Sequence, residues 1–191
     1  QEAKRYTAPD TDTYILFPYS ITDGNVSLIP AKEMQTNYPQ TWKFLQSYED
    51  KLRDREGGKF DDDQWYRFGR HQNIDKQDDQ KLIVAQTVPN MRVCSDENGA
   101  YCLNNVRVNG ILPVDPGDYH LLFGILNSNL IDWVFRRIAK PKDGGFFEAN
   151  KQFIAPLPIP KASAAQKQDI GQRAKTLQDL HTKRRDKLKA L

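Results

Sequence analysis

At 191 residues and 22.0 kDa, the chain is long enough for one domain with a proper hydrophobic core and an appendage. Charged residues make up 28% and mean hydropathy is −0.74, yet aromatics supply 10% of the chain, a balance that excludes wholesale disorder. No apolar run approaches the ~20 residues that cross a bilayer, and two cysteines are too few for a disulfide scaffold or a structural zinc site.

The net charge of +3 is unevenly placed. Residues 1–160 hold 19 Lys and Arg against 22 Asp and Glu, whereas residues 161–191 hold 9 against 3. The change falls at Pro156-Leu157-Pro158-Ile159-Pro160, which cannot be helical and reads as a linker. The expected organisation is a folded body over 1–160 and a basic helical tail over 161–191. The chain opens on Gln-Glu-Ala-Lys, with neither an initiator Met nor an apolar leader. That reads as a piece of a longer polypeptide from a reducing, cytoplasmic setting.

Thr13-Tyr-Ile-Leu-Phe-Pro-Tyr19 is β-branched and aromatic, a strand pattern with Pro18 at an edge or bulge. Tyr38 to Arg55 reads as one helix, with Pro39 in its first turn and Trp42, Leu45, Tyr48 and Leu52 on one face. Gly57-Gly58 ends it. Lys81 leads into a second strand, Leu82-Ile-Val-Ala-Gln-Thr-Val88. Met91–Cys94 and Ala100–Leu103 flank Ser95-Asp-Glu-Asn-Gly99, a hairpin pattern in which Asn98-Gly99 supplies positive φ. Val106 to Val114 adds another extended segment.

Asp118 is placed to cap a helix from Tyr119, whose apolar face runs Leu122, Ile125, Leu126, Leu130, Trp133, Val134 and Ile138. Asn127-Ser128 favours an interruption, because both side chains compete for backbone groups. In the tail, Ile170, Ala174, Leu177, Leu180, Leu188 and Leu191 recur at helical spacing, with Arg184 breaking the seam. Ile170, Leu177 and Leu180 are the expected contacts, against the body, a second copy or another domain. The expected fold is α+β: a curved mixed β-sheet, two main packed helices, long polar loops and a C-terminal helix.

Several chemistries lack their residues. No glycine-rich strand-to-helix loop is present for a nucleotide or S-adenosylmethionine, and no Asn-Pro-Pro-aromatic motif for adenine methylation. His71, His120 and His181 lack metal-ligand spacing. Asp10 with Glu49 and Lys51 matches the loose pattern of Mg²⁺-dependent endonucleases, but that pattern requires the Glu and Lys on a strand, and here they fall on a helix. Cys94 and Cys102 flank the expected hairpin turn and read as free thiols rather than a disulfide.

Two polar loops remain. In Trp65-Tyr-Arg-Phe-Gly-Arg-His-Gln-Asn73, aromatics alternate with Arg67, Arg70, Gln72 and Asn73, whose forked groups suit base edges: Arg to guanine, Gln or Asn to adenine. A strand with buried rings and solvated arginines fits equally well. The second loop follows Arg136 and Arg137, which complement a helix C-terminus. There Lys140, Lys142 and Lys151 surround Gly144-Gly145, a turn that permits close backbone approach and phosphate neutralisation. Lys183-Arg-Arg185 in the tail reads as a solvated face.

The order of motifs carries more than any one of them. Ile15-Leu-Phe-Pro-Tyr19, Tyr38-Pro39, Trp65-Tyr66 with Gly69-Arg70-His-Gln-Asn73, and Lys81-Leu-Ile-Val84 are followed by Leu122-Phe-Gly-Ile-Leu-Asn-Ser128, Gly144-Gly-Phe-Phe147, Lys151-Gln-Phe153 and Leu157-Pro-Ile-Pro160. Over roughly residues 5–160 this succession resembles the TaqI-like C-terminal specificity domain, the target-recognition domain of adenine-specific DNA methyltransferases and type IIG restriction–modification enzymes. It is similar, more distantly, to the recognition domains of type I specificity subunits.

The resemblance implies a non-catalytic module that binds double-stranded DNA. Its partner would be an upstream methyltransferase domain of the same polypeptide, with S-adenosylmethionine and Mg²⁺ required by the parent enzyme rather than by this fragment. Helix-mediated self-association through the tail is a further expectation.

Overall fold

Asp23 and Gly24 both have positive φ, 50° and 75°, and turn the chain tightly back on itself. β1 (Tyr19–Thr22) and β2 (Asn25–Leu28) therefore pair antiparallel, with Tyr19 opposite Leu28. The strand expected over 13–19 begins only at Tyr19. Pro18 has no N–H to place in a ladder, so β1 starts directly after it, while the Pro18 carbonyl accepts from Ile29 at 2.9 Å.

The structure, a computed structural model, describes residues 4–70, 72–103 and 107–190. His71, Val106 and Leu191, which the sequence placed in a polar loop, an extended segment and the tail seam, lie outside these residues. The chain divides into two units: Thr13–Lys76, and Gln1–Asp12 together with Gln77–Leu191.

In the Thr13–Lys76 unit, α1 (Ala31–Asn37) precedes α2 (Pro39–Gln46), α3 (Glu49–Arg53) and α4 (Arg55–Gly58). The single helix expected over 38–55 is thus broken. Ser47 returns both its N–H and its hydroxyl to carbonyls of the α2 last turn, which ends that helix before α3 starts. A second break follows within α4, where Glu56, Gly57 and Gly58 have φ of 52°, 72° and 84°. The core of this unit is Met34, Trp42, Leu45, Trp65 and Tyr66, with Trp42 and Tyr66 edge to face at 5.2 Å.

The other unit is built on β3 (Lys81–Ala85), whose first four residues are all buried. It is the centre of a three-stranded antiparallel sheet between β5 (Cys94–Asp96) and β6 (Val108–Ile111). β4 (Thr87–Val88) leaves that sheet for a second one, ordered β4, β8 (Phe146–Glu148), β7 (Pro141–Lys142). Gln86 is the junction: its N–H donates to Arg107 and its carbonyl accepts from Ala149, each at 2.7 Å. The strand expected over 82–88 is therefore two strands in two sheets. Among the described residues the strands form three small antiparallel sheets in place of one curved mixed sheet, and the α+β class holds.

The expected hairpin about Asn98-Gly99 is absent. β5 pairs with β3, and Ala100–Leu103 is not a strand, because the buried Asp96 carboxylate takes the Ala100 and Tyr101 N–H groups that a hairpin would use. Cys94 and Cys102 are free, and burial pushes the Cys94 thiol up to about 12.

α5 (Tyr119–Leu126) and α6 (Asn129–Ile138) meet at the expected interruption. Ser128 caps α6 by accepting the Ile131 N–H at 3.3 Å, and Asn127 is buried between the helices. After α7 (Lys151–Ile154), α8 (Ala164–Lys189) starts with a capping box between Ser163 and Gln166.

α8 packs on α5 through small residues. A Cβ on Gly171 would lie 2.9 Å from the His120 Cβ, and one on Gly124 2.9 Å from Ile170. Ala174 is buried beside them, while Leu177 and Leu180 are 38% and 56% exposed. The helix contact thus runs through the expected Ile170 together with Gly171 and Ala174, rather than through Leu177 and Leu180, since residues as small as Gly171 and Gly124 allow so close an approach.

Candidate nucleic-acid interface

The first polar loop lies in the Thr13–Lys76 unit and is an irregular turn, not a strand. Trp65 and Tyr66 are buried, and the Tyr66 hydroxyl donates to the Ile29 carbonyl at 2.7 Å. Phe68 donates its N–H to the Tyr19 hydroxyl at 2.7 Å, and its ring packs against Tyr19 and Phe17. Arg55 donates to the carbonyls of Trp65 and Arg67, at 2.7 and 3.0 Å. Burial, then the neighbouring Arg67 cation, pulls the Arg55 pKa below its usual value.

The four residues singled out for base edges separate here. Arg67 is ion-paired with Asp62 and stacked over Phe60 at 4.7 Å. That hydrogen bond from Arg67 holds the Asp62 carboxyl below its usual range. Arg70 and Gln72 are exposed, and among the described residues neither has a bonded side-chain partner. Asn73 is exposed with φ of 56°, the left-handed conformation that Asn tolerates, and it leads into the buried Ile74.

A cavity of about 570 Å³ opens beside this turn, lined by residues that include Tyr19, Gln64, Arg67 and Asp75. Of its polar lining groups, Arg67 is already committed to Asp62 and Phe60.

The second loop, in the other unit, is the β7–β8 hairpin. Asp143-Gly144-Gly145 makes the turn, with φ of 72° and 76° at the two glycines, a geometry that favours residues without a Cβ. Lys140, Lys142 and Lys151 are all exposed. Lys142 faces Glu148 at 3.5 Å, Lys151 opens α7, and Lys140 has no bonded side-chain partner among the described residues. Arg136 pairs with Asp132 at 2.9 Å, and Arg137 stacks on Trp133 at 3.4 Å.

The residues of the endonuclease-like pattern are engaged elsewhere. Glu49 lies on α3 and accepts from Arg53 at 2.7 and 2.8 Å, and Asp10 pairs with Lys189, a bond that keeps its carboxyl below the usual range. Lys51 sits over the Tyr48 ring. Among the described residues no group of three His, Cys, Asp or Glu is placed to hold a metal ion.

The sequence model of the TaqI-like C-terminal specificity domain matches residues 25–159, which include both polar loops. The chain belongs to this family. Among curated proteins it is similar to the type II restriction enzyme and methyltransferase RM.Eco57I of Escherichia coli, 26% identical over 171 residues, covering 81% of this chain and 17% of that protein. The chain thus spans less than a fifth of the length of the curated relative it matches.

Within the matched span, Asn127 and Ser128 of Leu126-Asn-Ser128 are the joint between α5 and α6. Sequence reasoning missed Arg55, which stands just before the Glu-Gly-Gly break and holds the turn that carries Arg70 and Gln72; that adjacency was the available signal.

Proposed function

We propose that this chain is the DNA target-recognition part of a type IIG-like restriction–modification adenine methyltransferase. In this reading Arg70, Gln72 and Asn73 face base edges, while Lys140, Lys142 and Lys151, around Gly144-Gly145, hold phosphates. The observation that carries the reading is the family match across residues 25–159, supported by a relative whose name joins a restriction enzyme to a methyltransferase. Arg67, though part of the same turn, is assigned to holding it rather than to reading DNA, because Asp62 and Phe60 already occupy its guanidinium.

The unit that carries the lysine hairpin and α8 has 19 Lys and Arg against 15 Asp and Glu, and Thr13–Lys76 has 9 against 10. Sequence-independent attraction to DNA would come from the former. The partner would be a methyltransferase portion of the same polypeptide. S-adenosylmethionine and Mg²⁺ are assigned to the parent enzyme: among the described residues neither double-glycine turn feeds a helix of more than one turn, and the carboxylates of the nuclease-like pattern are held by cations.

Selection of duplexes from a randomised pool by the 191-residue chain tests the proposal. Enrichment of a defined site, with affinity falling steeply as salt rises, is expected. Binding with no preferred sequence, or no binding at all, overturns it. Cleavage of plasmid in Mg²⁺ that disappears with Glu49→Ala would favour the nuclease reading.

A further inference from the structure

We infer that Arg55 is a positioning residue for recognition: its guanidinium fixes the backbone from which Arg70 and Gln72 project. The inference rests on the reading of the 67–73 turn as the base-contacting element. Arg55 donates Nε to the Leu52 carbonyl at 2.7 Å and Nη2 to the carbonyls of Trp65 and Arg67 at 2.7 and 3.0 Å. No carboxylate among the described residues is ion-paired with it. Its hydrogen bonds all go to backbone carbonyls.

The surrounding chain is built around this one side chain. Three successive left-handed positions, Glu56, Gly57 and Gly58, turn the segment so that Phe60 comes over the guanidinium at 4.2 Å. Arg67 stacks on the same ring and is held by Asp62. One residue later, the Phe68 N–H is bound by the Tyr19 hydroxyl. At the far end, Asn73 has a left-handed backbone and Ile74 is buried. Arg70 and Gln72 therefore lie between two held positions, Phe68 on one side and the Asn73–Ile74 step on the other.

Fixing that span before binding removes an ordering cost that a loose turn would incur in every complex. Only a planar fork can bond several carbonyls while stacking on a ring. A lysine ammonium keeps the charge but not that geometry.

The test uses the whole chain, a randomised duplex pool, melting curves, salt titrations on a fixed non-cognate duplex, and amide exchange. With Arg55→Lys, preference at the base position governed by Arg70 is expected to fall about tenfold. Salt slope and non-cognate affinity should stay at wild-type values, and amide protection should drop at Phe68 but not in Leu82–Val84. Arg70→Ala should remove preference at that same position.

An intact site preference in Arg55→Lys, with only a lower melting temperature, overturns the inference while leaving the recognition reading standing. Intact preference in Arg70→Ala and Gln72→Ala overturns that reading and the inference with it. Should Arg55→Lys fail to fold, Phe60→Leu takes away the stacking plane instead, and an unchanged preference there also overturns the inference.

Discussion

Asn127 and Val93 exchange a reciprocal pair of hydrogen bonds in the core: Asn127 Oδ1 accepts the Val93 N–H at 2.9 Å, and its Nδ2 donates to the Val93 carbonyl at 3.0 Å. A third bond runs from Nδ2 to the Phe123 carbonyl, also at 3.0 Å. A buried amide with this much satisfied capacity stitches the 91–93 segment to the end of α5. Asp132 adds to it by accepting the Met91 N–H at 2.7 Å. Asn127→Ala would strand up to three buried backbone groups and is expected to cost about 2–4 kcal/mol. Asn127→Asp should be worse, because one carboxylate oxygen would face two carbonyls. Chemical denaturation of the three proteins checks the order.

Lys81 and Asp96 form a second buried device. Their side chains are 2% and 1% exposed, with Nζ 2.7 Å from Oδ2. Lys81 also donates to the Gln77 carbonyl, while Asp96 also holds the Ala100 and Tyr101 N–H groups. Removing one member leaves an unpaired buried charge, so Lys81→Met is expected to cost about 3–5 kcal/mol. Asp96→Ala should cost more, since two backbone donors lose their acceptor as well. Lys81→Met with Asp96→Asn together should recover part of the loss.

What the sequence disclosed follows the range of the interactions only in part, since the local break at Ser47 went unread. The α5–α6 joint was legible because Asn and Ser act on their own neighbours. The break at Ser47, the division of β3 from β4 at Gln86, and the loss of the Asn98-Gly99 hairpin were not. The last two are decided by partners far along the chain, Arg107 and Ala149 for Gln86 and Lys81 for Asp96. The candidate site divides the same way: residue types identified Arg67, Arg70, Gln72 and Asn73 as a group, but only the fold separated Arg67, held by Asp62, from the exposed Arg70 and Gln72. In the tail, helical spacing picked out Ile170 and Ala174, which are in the contact, along with Leu177 and Leu180, which are exposed, whereas periodicity of apolar residues does not register Gly171.

The tail contact changes what truncation should do. Ala174 and Ile170 belong to the same apolar cluster as Phe123 and Leu121, so α8 covers part of the α5 surface. Deleting 163–191 is expected to lower the melting temperature of what remains, beyond the simple loss of helical signal. Gly171→Leu should cost about 1–3 kcal/mol by forcing His120 aside, whereas Leu180→Ala, on the exposed side, should change little. Thermal denaturation followed by near-ultraviolet circular dichroism distinguishes these outcomes.

His120 makes stability depend on pH. Burial, then the Lys175 cation, lowers its pKa from the ordinary value, while Glu97, 3.2 Å from Nε2, acts in the opposite sense. Its Nδ1 is buried without a hydrogen-bond partner among the described residues, so a second ring proton there would have no acceptor among them. A folded pKa below the unfolded one means that the unfolded chain binds more protons near pH 6. Stability should therefore fall as pH drops below about 6.5, toward the lowered folded value. In His120→Gln the fall between neutral pH and pH 5 should be shallower. Melting curves over that window provide the comparison, and equal slopes in both proteins would remove His120 as the cause.

On the proposed DNA-recognition reading, the lysines around the β7–β8 turn should not contribute equally to binding. A phosphate contact releases condensed counterions and adds about −0.9 to the slope of log K against log salt concentration. Lys140 is exposed with no bonded side-chain partner among the described residues, and Lys151 stands at the start of α7. Lys142 already faces Glu148 at 3.5 Å, so engaging a phosphate requires it to weaken that pair. Lys140→Ala is therefore expected to weaken binding to cognate and random duplexes alike, and to make the salt slope shallower by about one unit. Lys142→Ala should have a smaller effect on both, and Glu148→Gln, by freeing Lys142, should strengthen non-cognate binding. None of these changes should alter which site is selected from a randomised pool, because a phosphate contact carries no base information. A changed site in Lys140→Ala would instead move that residue from the backbone to a base edge.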